Sequence, residues 1–455
     1  MTTMRMSYLS SEVAGQLIFC VVSFYLLKFY TDVFGLSAAT AGGILLVARM
    51  VDALDAPLWG VLFDKTHSRW GRSRPWFLWL CVPFALLGVL TFHTPALPLR
   101  GKITYAAVTY VLCSVLYTGI NTPVTSILSA LTPDPRERVT LTSFRMFGSK
   151  LGVLLVNLTL LPLVTLLGQG SAQRGFSRVM PLYACGTVAL YLLAFRNLRE
   201  QVSTRLEPLS LRQSFAALRG NVPWLLIASS SFCFWIAFVG RITCAPYYFE
   251  YVLHRPRLIS LANSMDVVSL VGILFLPRLC RLTSRAKVWA ARLAASVVTQ
   301  LVLCLAVGHS AVTVAFAGWT LGFLASGIAM AMPFSLLAES VDFGEWRSGV
   351  RAAGMLTAIG AAFCLKAGSG LGGALPAWIL GAYHYVPNVP QTAHAMEGIR
   401  LGFIWLPAVF YLLALLPVLR YGHYEQMEPK IRAELEARRS CLTVQAQGGD
   451  DVSRR

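Results

Sequence analysis

The sequence predicts an all-α membrane protein: twelve transmembrane helices in two pseudo-symmetric six-helix bundles. Three observations carry this. Of 455 residues, 56% are hydrophobic and only 13% charged. Apolar runs of spanning length recur in two sets of six, and the basic residues gather in alternate gaps between them. A mean hydropathy of +0.61 lies outside the soluble range, and roughly 20 apolar residues suffice for a helix to cross ~30 Å of hydrocarbon.

The first set of runs covers 11–34, 38–63, 75–94, 103–130, 141–168 and 179–196. The opening run is too long for a signal-peptide core, contains Lys28 and lacks a small-residue cleavage site, so it stays as helix one. The second holds Arg49, Asp52 and Asp55 and ends in the basic loop DKTHSRWGRSRP; the fourth carries Pro123 in YTGINTP, which loosens it. The second set covers 222–252, 258–280, 286–308, 311–338, 353–382 and 400–420. Residues 1–196 and 222–421 are therefore read as two bundles joined by an Arg-rich cytoplasmic linker, 197–221. The tail, 422–455, is charged and helix-prone at first, then polar and unstructured. TPDPRERVTLTSFR after span four and ESVDFGEWRSGVR after span ten occupy equivalent places, as an internally duplicated transporter requires.

The net charge of +18 could suggest nucleic acid until its residues are placed. Lys65, Arg69, Arg72 and Arg74 follow span two, Arg136 and Arg138 span four, and Arg196, Arg199, Arg205, Arg212 and Arg219 span six. Arg278, Arg281, Arg285 and Lys287 follow span eight, and Arg347 and Arg351 span ten. The other loops are much poorer in Lys and Arg, so the positive-inside rule puts both termini in the cytoplasm of an inner-membrane protein. The bilayer is the partner this charge serves, nucleic acid is not one, and a monomer is the expected working unit.

A carboxylate near the bilayer centre is costly and is read as functional. Asp52 lies twelve residues before Asp64, roughly 18 Å along a helix and so near the midplane. Arg49, Asp52 and Ala56 share one stripe, with Asp55 about 60° round from Asp52, facing either the cavity or a neighbouring helix. The expected role is proton or cation coupling at Asp52 and Asp55, with a fixed Arg49–Asp52 pair as the alternative. Lys366, about 22 Å beyond Arg351, is expected to reach Asp52 from the other half. Arg241 and Asp266 lie at similar depths and are expected to pair, unless Arg241 turns toward substrate. Gln16 and Asn121, amides too costly to face lipid, are expected to meet substrate hydroxyls or to join helices.

Other chemistries fail. GSGLGG at 368–373 fits a dinucleotide motif literally but follows no strand and lies in an apolar helix, where close helix packing explains it. No Walker A motif is present, no histidine lies at a span centre, and the ten cysteines form no C-x-x-C. No nucleophile–base pair or metal cluster appears at membrane depth, so neither an enzyme nor a cofactor is expected.

The stretch R-x-x-D-A-x-x-x-P-x-x-G-x-x-x-D-x-T-x-S-R-W-G-R-x-R-P resembles the signature of the melibiose permease-like glycoside-pentoside-hexuronide:cation symporters, a branch of the major facilitator superfamily. FYTDVFGL, N-x-P with TPDPRER, YYFEYVLH, ESVDFGEW and Lys366 extend the match along the chain in order. The resemblance implies twelve helices, alternating access and uptake of a glycoside, pentoside or hexuronide with a cation. It implies that Asp52 belongs to the cation site, that Lys366 links cation and sugar sites, and that Gln16, Asn121 and Arg145 contact sugar. It also implies that Asp134, Arg138, Asp342, Glu345 and Arg351 form cytoplasmic gate charges. The family commonly has a second acid just before the helix-two proline, where this chain has Ala56, so a proton is expected rather than sodium. Arg145, Lys366 and Arg241 near a cavity make an anionic sugar plausible. An uncoupled facilitator and a lysolipid carrier of the same fold stay open as rivals.

Overall fold

The computed structural model describes residues 2–452 apart from 65, 67, 72, 133–134, 200–219, 306–310, 349–355, 357–359 and 361–362. In hydrocarbon every backbone N–H and C=O must be satisfied within the chain, and a helix does this segment by segment. Among the described residues the chain is accordingly helical and without strands. The first half comprises α1 (Thr2–Lys28) closing in a π turn (Phe29–Val33), α2 (Ala38–Asp64), α3 (Arg74–Thr91), α4 (Leu99–Leu131), α5 (Pro135–Gly168) and α6 (Ala172–Asn197). The second comprises α7 (Val222–Tyr247) with its π turn (Tyr248–Val252), α8 (Leu258–Ser264), a 3-10 turn (Met265–Val268), α9 (Ser269–Leu282), α10 (Arg285–Val302), α11 (Ala311–Ser348), α12 (Cys364–Ala382), α13 (Ala393–Arg400), a third π turn (Leu401–Trp405) and α14 (Leu406–Val452).

Ten helical stretches among the described residues are long and apolar enough to cross a membrane. The helices outside that set are informative. α2 is 27 residues long but carries Arg49, Asp52 and Asp55, and α12 is glycine-rich and carries Lys366.

Three elements depart from the sequence reading. Helix one begins at Thr2 instead of 11, because its early polar side chains are satisfied inside the bundle: Ser10 Oγ donates to Ser7 O and Ser11 Oγ to Tyr8 O. The eighth span is broken by the 3-10 turn at Met265–Val268. The tail expected to be unstructured continues α14 to Val452, against the low helix propensity of its Gly-Gly-Asp-Asp run. The linker 197–221 lies largely outside the described residues.

The two halves repeat one packing pattern. α1 packs on α5 and α6 as α7 packs on α12 and α14; α3 lies against α4 and α6 as α10 lies against α11 and α14; α2 meets α4 as α9 meets α11. The halves join along a seam with two matching parts, α2 against α12 and α5 against α8. Glycine lets α2 and α12 approach closely. A Cβ on Gly42 would sit 2.7 Å from Ala377 Cβ, and one on Gly370 2.7 Å from Arg49 Cβ. On its other face α12 presses Gly368 and Gly372 against the α7 carbonyls of Phe232 and Ile236, each 2.8 Å from an added Cβ. GSGLGG is therefore a helix-packing segment.

Beyond the spans, Glu425 of α14 caps the first turn of α10 by accepting from Arg285 N and Ala286 N, at 2.7 and 3.0 Å. The Arg285 guanidinium also binds Glu339 and Glu428. This cluster fastens the α14 extension to the second half. The nine cysteines with described side chains are free.

Replacing Gly372 by Val forces a side chain into the Ile236 carbonyl and is expected to cost about 1–3 kcal/mol of overpacking. Gly43→Ala, with nothing within 4 Å of the added Cβ, is expected to be neutral or stabilising. Thermal unfolding of the detergent-purified variants, followed by intrinsic fluorescence, checks both.

Candidate functional site

The α2–α12 seam brings ionised groups together in an apolar setting. Lys366 Nζ lies 3.1 Å from Asp52 Oδ1 and 3.4 Å from Asp55 Oδ1. It also donates to the Asp52 carbonyl and, at 3.2 Å, to Thr118 Oγ1 of α4. Four oxygens from two helices of the first half thus hold one ammonium from the second. Thr118 Oγ1 in turn donates to Asp52 Oδ1. Arg49 Nη1 reaches Asp52 Oδ2 at 3.4 Å and stacks 5.4 Å from the Phe19 ring centroid.

Asp55, which the sequence left between cavity and neighbouring helix, is turned to the same lysine as Asp52. A separation of three residues keeps two side chains on adjoining flanks of a helix, and a long lysine spans both. Asp55 Oδ2 is buried and, among the described residues, has no hydrogen-bond partner of good geometry. A carboxylate oxygen in that position is a ready acceptor for a proton or ligand for a cation.

A second polar strip runs between α1 and α5. Arg145 Nε donates to Glu12 Oε2 at 2.8 Å, and one turn on Gln16 Nε2 donates to Ser149 Oγ at 3.1 Å. Gly152, where a Cβ would lie 2.6 Å from Gln16 Cβ, lets the helices close around it. Glu12 is buried. The sequence reading passed over it because helix one was drawn from residue 11, which put the glutamate at a span end; its spacing of four from Gln16 is the signal that places both on one face. Asn121, half-buried, stands one turn beyond Thr118 on α4.

The expected Arg241–Asp266 pair does not form. Asp266 Oδ2 instead meets Lys150 Nζ of α5 at 2.6 Å. Arg241, 1% exposed, lies within the second half, its guanidinium 4.2 Å from the Trp319 ring centroid and donating to Trp319 O. Equal depth does not give equal azimuth: α7 turns Arg241 toward α11, while the 3-10 turn after α8 carries Asp266 toward α5. Its burial also removes Arg241 from the residues that line the seam.

Of the expected gate charges, Asp134 and Arg351 lie outside the described residues, as does the side chain of Arg138. Asp342 and Glu345 lie near the end of α11. A different set of charges holds the opposite end of the bundle, away from the chain termini. Lys28 binds Asp32 at 3.0 Å and reaches Glu250 of the other half. Tyr385 Oη donates to Asp32 Oδ1 at 2.9 Å, Asn388 Nδ2 to Asp32 O at 2.8 Å, and Thr31 Oγ1 lies 2.9 Å from Tyr247 Oη. Asp32 and Glu250 both sit in π turns, FYTDV and YFEYV, at the ends of equivalent helices. That internal repeat was readable in the sequence.

Comparison with known proteins follows this geometry. A family model described as MFS/sugar transport protein matches residues 7–422. The isoprimeverose transporter of Lactiplantibacillus pentosus is 37% identical over 439 residues, covering 95% of this chain and 91% of that protein. The inner membrane symporter YicJ of Escherichia coli strain K12 is 30% identical over 420 residues, covering 92% and 91%. Among solved structures, a bacterial homologue of the iron transporter ferroportin superposes in its inward-facing state with a TM-score of 0.67 at 17% identity, covering 92% of this chain and 98% of that one. In its outward-facing state the same homologue superposes at 0.56, covering 93% and 99%. The fold is that of the major facilitator transporters, and the chain is an integral, multi-pass membrane protein that belongs to the MFS/sugar transport protein family.

Proposed function

We propose that this chain is an inner-membrane importer that couples entry of a glycoside, pentoside or hexuronide to a proton bound at the Asp52–Asp55–Lys366 centre. The observation that carries the reading is the sharing of one ammonium from the second half by two carboxylates from the first. Protonating either carboxylate loosens that tie, so ion binding changes the energy of separating the halves, which is what coupling requires. The name of the isoprimeverose transporter supports the substrate class, and that of the inner membrane symporter supports symport.

The α1–α5 strip is the proposed sugar contact. Arg145 with Glu12, and Gln16 with Ser149, present donors and acceptors side by side, a pattern suited to vicinal hydroxyls. The Glu12 carboxylate neutralises Arg145, and Arg241 is turned away; both favour an uncharged sugar over the anionic one that the sequence made plausible. Asn121 extends the strip toward the cation centre. With the termini in the cytoplasm, as the basic loops indicate, the Lys28–Asp32–Glu250 lattice seals the external side, and the form described is inward-facing. The better superposition on the inward-facing homologue agrees with this.

Sodium is a second reading, supported by the four oxygens around Lys366 Nζ, a donor set that suits a hard cation once the ammonium withdraws.

In proteoliposomes given a panel of glycosides and uronides, one neutral glycoside is expected to alkalinise the outside as it enters. Asp52→Asn is expected to lower net uptake roughly 5- to 150-fold, the range of a 1–3 kcal/mol coupling, while exchange of sugar across the membrane persists. Sodium entry in place of protons selects the second reading. Sugar entry without either ion would establish a facilitator instead.

Breaking the external lattice with Asp32→Asn is expected to shift the carrier outward. A single cysteine introduced at Gln16 should then react several-fold faster (about 5-fold or more for a shift of ~1 kcal/mol) with an impermeant maleimide added outside. An unchanged rate would show that the lattice does not hold the closed side.

A further inference from the structure

The seam's second part, α5 against α8, repeats the first by the pseudo-two-fold relation of the halves, and it repeats its chemistry. Lys150 Nζ stands 2.6 Å from Asp266 Oδ2, as Lys366 Nζ stands 3.1 Å from Asp52 Oδ1. In each case a lysine on the fifth span of one half meets an aspartate on the second span of the other. Lys150 is 15% exposed and the Asp266 side chain 8%, so the pair is largely enclosed between the helices.

Behind the pair, polar groups continue inward between α1, α5 and α8. Asn157 Nδ2 donates to the Asn263 carbonyl at 3.3 Å. Tyr25 Oη donates to Asn157 Oδ1 at 3.0 Å and accepts from Asn263 Nδ2 at 3.4 Å. Asn157 and Asn263 are fully buried, yet Asn263 Oδ1 has no hydrogen-bond partner among the described residues. An orphaned amide oxygen at 0% exposure is costly, and it sits one helical turn before Asp266, where α8 gives way to the 3-10 turn Met265–Val268. Broken membrane helices expose backbone and side-chain oxygens in this way where small cations bind. Asn263 Oδ1 and the Asp266 carboxylate are oxygen donors of the type a proton or an alkali cation takes. The titratable groups around them are Lys150 of α5 and Cys20 and Tyr25 of α1.

We propose that Asp266 and Asn263 form a second monovalent-cation site, the symmetry mate of the Asp52–Asp55 centre, in which the Lys150 ammonium is a tethered occupant that a proton or sodium ion replaces. The carrier then has two exchangeable centres, one on each part of the seam. The proposal does not depend on which sugar is carried, or on sugar being carried at all.

The test uses full-length protein in detergent, with Asp52→Asn and Asp55→Asn present so that the first centre contributes nothing. Binding of radioactive sodium in choline buffer, and dye-monitored proton uptake on acidification, are measured with and without Lys150→Ala. Removing the competing ammonium is expected to tighten sodium binding by about tenfold or more, or, if the proton is the ion, to add a proton taken up near neutral pH. Either gain must vanish when Asp266→Asn is added. A gain that survives Asp266→Asn, or no gain in either ion, overturns the proposal and leaves a fixed tie between α5 and α8. Because Lys150→Ala could fail to fold, the unmutated chain is also treated with dicyclohexylcarbodiimide, which modifies protonatable buried carboxyl groups. Modification of Asp266 that falls as sodium or pH rises supports the site. An Asp266 that stays unmodified, or that is modified equally under all conditions, overturns it.

Discussion

An ionised group inside hydrocarbon must have an opposite charge or a dense set of dipoles beside it, and the arrangement of this protein follows from meeting that demand across a movable boundary. Lys366 is placed on the second half and its carboxylates, Asp52 and Asp55, on the first. Neither half is electrostatically complete alone. Had all three groups belonged to one bundle, they would form a static tie. Divided as they are, any change in their protonation is also a change in the affinity of one half for the other, and the glycines of α12 bring the helices near enough for a lysine to bridge.

The internal duplication lets this demand be met twice. The same packing pattern governs both halves, so a contact possible between α2 and α12 is possible between α5 and α8, and both carry lysine and aspartate. The duplication also appears at the end of the bundle away from the chain termini, where α1 and α7 finish in π turns that offer Asp32 and Glu250 to Lys28. The buried charges that join the halves fall on the seam, while the hydrophobic cores of the halves are rich in Leu, Val, Ile, Phe and Tyr. Other buried polar groups bond within one half, as Glu12 does with Arg145 and Gln300 with Phe403 O, and so does Arg241. It is held against Trp319 and Phe323 by the face of the rings and one carbonyl, and it fastens α7 to α11 within one half.

Much of this was legible in the sequence. Hydropathy located most of the spans because length and apolarity are what a bilayer selects, and helical rise alone brought Asp52 and Lys366 to levels at which they meet. What was not legible depends on rotation about helix axes. Depth put Arg241 and Asp266 level but could not say that they face different neighbours, and Asp55 and Asp52 could not be given a common partner until α12 was in place. Glu12 was missed for another reason. Its polar neighbourhood, with Ser7, Ser10 and Ser11, reads as the outside of a span, yet serines that bond their own helix are as acceptable inside a bundle as apolar residues. The break at Met265–Val268 had no proline or glycine to announce it.

The bareness of the contact between α2 and α12 has a mechanical meaning. Gly42, Gly370, Gly373 and Gly381, opposite Ala377, Arg49 Cβ, Leu45 and Ala39, make a nearly smooth bearing without interlocked ridges. At those glycines the two helices meet with few branched side chains between them, so the strongest specific ties across that part of the seam are the bonds of Lys366 to Asp52 and Asp55. A motion that parts the helices there must part those charges first.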